Sequence, residues 1–101
     1  MRIETTCLFP SFDVVSVYVI ESGDGFIVHD GGGAVMSALQ HGLTIEAVDA
    51  ALQQQASRYG LQVKDGTLQC QFASKDWMHS AILSVANGTA AAANAALDGQ
   101  H

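Results

Sequence analysis

The chain has 101 residues, 49% apolar and 14% charged, and its ten carboxylates against four lysines and arginines give a formal charge of −6. That length suits one domain, 1–101, and that apolar content suits a folded core rather than a disordered segment. The acidic balance weighs against direct nucleic-acid binding, which needs a basic footprint to displace counterions from phosphate; a protein or nucleoprotein complex is the partner class it leaves.

The N-terminus, Met1 to Thr6, carries no long apolar run, and no stretch approaches the roughly 20 apolar residues of a membrane span. The expected location is therefore the cytoplasm. Arg2 to Cys7 alternates as a strand with Ile3 and Cys7 on one face, and Pro10-Ser11 breaks it. Phe12 to Ile20 is rich in valine on both faces, which predicts a central strand. Ser22-Gly23-Asp24-Gly25 is a turn cluster, and Phe26 to His29 returns as a third strand, completing a meander.

Asp30-Gly31-Gly32-Gly33 then opens a short helix with Ala34, Val35, Ala38 and Leu39 as its apolar stripe, stopped by Gly42. Thr44 is placed to cap a second helix whose apolar positions are Ile45, Val48, Leu52, Ala56 and Tyr59. Glu46 and Asp49 complement its N-terminal dipole, Arg58 its C-terminal end, and Gly60 closes it. Asp65-Gly66 between Leu61–Lys64 and Thr67–Phe72 predicts a tight hairpin. Leu68, Cys70 and Phe72 are expected to face the core, Gln69 and Gln71 water.

Ser74 is placed to cap a last helix carrying Trp77, Met78, Ala81, Ile82 and Val85, with Trp77 and Met78 as core anchors. An exposed Trp77 would mark an interface instead. Gly88 is expected to interrupt this helix. The alanine-rich segment 89–101 would then be frayed or an oligomer contact, with a homodimer as its consequence. The order of elements predicts an α+β fold: a three-strand meander and a hairpin in an antiparallel sheet, with about three helices packed on it.

Chemistry-bearing patterns are sparse. Cys7 and Cys70 lack the spacing of a disulfide framework, a zinc site or a redox pair. Gly31-Gly32-Gly33 lacks the lysine and hydroxyl of a phosphate-binding loop, and Asp30 would put a carboxylate where a phosphate should sit. A capping Asp30 and a close-packed turn explain that run more simply. His29-Asp30 has the residue types of a general base with its orienting acid, but strand neighbours point to opposite faces. His41, His79 and His101 lack metal-ligand spacing. The sequence therefore presents no catalytic set, no metal site and no cofactor motif.

Several stretches resemble one family. Val17-Tyr18-Val19, a turn, then Gly25-Phe26-Ile27-Val28-His29-Asp30-Gly31-Gly32 is similar to a family of phage and bacterial proteins named only as a domain of unknown function, number eighteen twenty-eight. The likeness continues through His41-Gly42-Leu43, Tyr59 to Val63, the Lys64-Asp65-Gly66 turn, Leu68 to Phe72 and Ala81 to Ala86. His29 stands where that family has threonine, and Gly31 where it has a second acid. The resemblance implies an origin in phage or mobile elements and brings no catalytic residues with it.

From these features the leading expectation is a non-catalytic protein-binding protein, with inhibition of a bacterial defence complex such as CRISPR as its narrower form. Glu46, Asp49, Asp24 and Asp30 are the candidate partner-binding acids. The alternative is a small hydrolase or ligand-binding enzyme centred on His29, Asp30, Gly31 and Gly32. A dimeric regulatory or structural subunit is the third reading.

Overall fold

The computed structural model describes residues 1–23 and 25–98. Five strands, β1 (Arg2–Leu8), β2 (Val14–Ser22), β3 (Gly25–His29), β4 (Gln62–Lys64) and β5 (Thr67–Phe72), form one antiparallel sheet in the order β1-β2-β3-β5-β4. The meander β1-β2-β3 and the hairpin β4-β5 therefore join through β3 and β5, with Val28 opposite Cys70 and Phe26 opposite Phe72. The helices are α1 (Gly33–Gln40), α2 (Ile45–Tyr59) and α3 (Met78–Asp98). This is the α+β architecture that the order of elements predicts.

Local chemistry explains most boundaries. The Thr44 hydroxyl accepts from the Ala47 N–H at 3.2 Å, and Gly60 ends α2 in the left-handed region, a cap and a stop of the ordinary kinds. Asp65 and Gly66 have φ of 52° and 79°, the paired positive values of a two-residue hairpin whose twist matches its strands. The Ser74 hydroxyl accepts from the Asp76 N–H and so caps a 3₁₀ turn, Lys75–Trp77, that feeds α3.

The core lies between one face of the sheet and the helices. Val15, Val17 and Val19 of β2, Val28 of β3 and Leu68 of β5 are buried with Ala34, Val48, Leu52, Ala81 and Val85 from the helices. The alternate residues of the same strands form the other face, which no helix of the described residues covers. Leu8, Val14 and Ile20 there remain exposed. The expectation of a strand apolar on both faces is thus corrected in part: β2 is an interior strand, but only its odd-numbered valines are buried.

Four further details differ from expectation. Gln69 is buried because it sits in the middle of the sheet between His29 and Gln62. Trp77 is 64% exposed, because the 3₁₀ turn carries it past the end of the core. Ile45 and Leu39, expected in apolar stripes, stay exposed at the α1–α2 corner. Gly88 does not interrupt α3, which runs through it; a Cβ there would lie 2.7 Å from Leu61 Cδ1, so the glycine permits close approach. Beyond it Thr89, Ala92, Ala93 and Ala96 are buried within the chain, where their small volume lets α2 and α3 pack together. Residues 99–101 of the alanine-rich segment lie outside the described residues.

Candidate functional site

His29 and Asp30 sit where β3 hands the chain to α1, and they separate. Asp30 turns into the core and is 2% exposed. Its Oδ1 accepts from the backbone N–H of Gly32 at 2.9 Å and of Leu68 at 3.2 Å; its Oδ2 accepts from the Ala34 N–H at 3.4 Å and the Thr89 hydroxyl at 3.2 Å. One carboxylate therefore ties the β3–α1 turn, β5 and α3 together. Burial pushes its proton affinity above the usual carboxylate range, against the backbone and hydroxyl hydrogen bonds that pull it down.

His29 projects the other way, onto the uncovered face. Its ring stacks on Tyr18, with centroids 5.3 Å apart and planes 18° from parallel. Its Nδ1 accepts from the Gly31 N–H at 3.0 Å. Gly31 has φ of 62°, and a Cβ there would lie 2.6 Å from Tyr18 Cε2. The glycine is accounted for by that backbone conformation and by the tyrosine ring above it. As a catalytic pair His29 and Asp30 do not converge, and Asp30 has no route to a substrate. Gly32 also lies at positive φ and donates to Asp30, so its N–H is already committed.

The partner-binding acids are not brought together either. Glu46 and Asp49 are exposed on the first turns of α2, in the helical layer. Asp30 is interior, so its proposed contact with a partner is corrected: the carboxylate is used inside the fold. Asp24 lies outside the described residues. Cys70 is half-buried, and burial pushes its thiol upward, away from the thiolate a nucleophile requires. Among the described residues no group of three His, Cys, Asp or Glu side chains could hold a metal ion, and no helix is long and apolar enough to cross a membrane.

What the strand registers do assemble is the uncovered face. Arg2, Tyr18, His29, Gln69 and Gln62 form one row across all five strands. Ile20, Ile27 and Gln71 form the neighbouring row, and Leu8 opposite Val14 lies towards the other end. Phe12 stands beyond that end, 80% exposed. Its turn is held by Phe12 N–H to Phe9 C=O and Phe9 N–H to Asp13 C=O bonds, at a φ of 71°. A bulky residue pays strain at that dihedral, and here it makes almost no packing contact in return. The alternation Val14, Ser16, Tyr18, Ile20 carried the signal for this face. Which of the two alternating sets lies under the helices emerges only with the tertiary fold.

Compared with protein families, curated proteins and solved structures, the chain finds no match.

Proposed function

We propose that this chain is a non-catalytic protein-binding protein that meets its partner through the uncovered face of its sheet. The observation that carries the reading is the exposure of Leu8, Val14 and Ile20 on that face, beside the Tyr18–His29 stack. Apolar side chains left in water on a flat surface, next to aromatic rings with polar edges, are the composition of an interface core. The excess of carboxylates favours a basic protein partner, and would hasten encounter with it. Inhibition of a bacterial defence complex in the cytoplasm is the narrower form, motivated by the resemblance to a phage family.

Affinity capture of the tagged chain from a lysate holding an active defence complex tests both levels. The reading expects a stoichiometric protein partner that Val14→Asp and Ile20→Asp each release. Capture left intact by both substitutions contradicts it. A partner that is not a defence component removes only the narrower form.

A further inference from the structure

The second open surface lies at the other end of β5. The hairpin partner β4 covers β5 only from Thr67 to Gln69. Beyond it Cys70, Gln71 and Phe72 pair with β3 on one side and, among the described residues, meet no strand on the other. Backbone groups alternate in direction along a strand, and Leu68 points to β3, since its C=O accepts from the Asp30 N–H and its own N–H donates to the Asp30 carboxylate. Cys70 and Phe72 follow Leu68. Gln71 follows Gln69, so its N–H and C=O point away from β3, past the end of β4. The carbonyl's contact there is a Cys70 thiol at 3.8 Å, too weak to hold it.

That unpaired half-edge faces an open groove of about 420 Å³ between β5 and the start of α3. Tyr59, Cys70, Phe72 and Trp77 supply its apolar walls, and Ser80 and Ser84, one helical turn apart on α3, supply hydroxyls. Among the described residues no charged side chain lines it, in a chain with fourteen lysines, arginines and carboxylates. The edge strand β1 differs: it carries Arg2 and Glu4 and a register shift before Leu8, features that discourage strand addition.

We infer that the groove between β5 and α3 binds an extended, uncharged peptide segment of a partner protein, added as a strand beside Cys70–Phe72. The backbone of the segment takes the Gln71 N–H and C=O, and its alternate side chains enter the groove against Trp77. A strand bordered by a helix gives such a segment main-chain bonds on one side and side-chain pockets on the other. Neutral walls select against charged residues at the inserted positions, because a charge taken from water there finds no counter-charge. The inference rests on the protein-binding reading but uses a different surface.

The probe is a phage-displayed library of random heptapeptides, selected on the full chain. Enriched peptides should show apolar residues at alternate positions with few charges. The synthetic peptide should shift the emission of Trp77, the only tryptophan, and slow hydrogen exchange at the Gln71 amide. Gln71→Pro, which removes an outward N–H and no bond to β3, should weaken binding at least tenfold. Ser84→Glu, which puts a charge into the groove and tests the site even if the proline variant fails to fold, should do the same. No enrichment over an unrelated protein, or affinity unchanged by Ser84→Glu with no protection of Gln71, overturns the inference. Peptides released by Ile20→Asp instead would overturn the groove while keeping the protein-binding reading.

Discussion

The Thr89 hydroxyl donates to the Asp30 carboxylate at 3.2 Å across 59 positions of chain, both groups buried. Asp30 lies at the end of β3 and Thr89 in the middle of α3, so the bond fastens the last helix to the meander. Thr89→Val keeps the shape and removes the donor. It should cost about 1–2 kcal/mol, read as a lower urea midpoint with unchanged slope. No change in the midpoint would mean that the bond does not stabilise the fold.

Asp30 also sets a pH dependence. Burial raises its proton affinity in the folded state above the ordinary value of 3.8. The folded chain therefore keeps this proton to a higher pH than the unfolded chain does. The contribution to stability is fully present below 3.8 and is lost as pH rises through the folded value. Asp30→Asn cannot titrate and lacks that slope. Urea unfolding from about pH 3 to about pH 7 should show wild type losing stability relative to Asp30→Asn and then levelling off. A constant difference would contradict the buried-carboxylate account.

Gly31→Ala tests why the turn after His29 is glycine. The new methyl group would meet the Tyr18 ring at a positive φ. Backbone strain and the displaced ring together should cost about 2 kcal/mol or more. The near-ultraviolet circular dichroism of the Tyr18 environment should change with it. A neutral substitution would leave the glycine open to a ligand-binding explanation.

Much of this architecture can be read from local patterns. Asp65-Gly66 states its own turn, Thr44 its own cap, and Leu68 the inward register of β5. The candidate site is less legible, because its properties arise between distant elements. Asp30 has the sequence context of a helix cap, and two of its bonds serve that end, but Leu68 and Thr89 come to it only through the fold. Gln69 reads as solvent-facing until β3 and β4 enclose it. Gly88 reads as a helix breaker until Leu61 is found against it. Trp77 reads as core on helical spacing, yet the intervening 3₁₀ turn changes its phase.

Phe12 separates stability from binding. Phe12→Gly relieves a left-handed backbone dihedral and forfeits almost no buried surface. It should stabilise the fold by about 0.5–1 kcal/mol, seen as a higher melting temperature. If the exposed ring contributes to the interface at that end of the sheet, partner capture should fall in the same variant. A lower melting temperature would show that the ring packs in a way the fold requires.

The most direct test of the central claim is the affinity of one captured partner for the wild-type chain, Val14→Asp, Ile20→Asp and the pair Glu46→Lys/Asp49→Lys. The uncovered-face account predicts at least a tenfold loss in each sheet-face variant, with folding intact by circular dichroism, and a smaller, salt-dependent change in the α2 pair. Full affinity in both sheet-face variants, with the loss confined to Glu46→Lys/Asp49→Lys, would place the contact on the helical layer and contradict it.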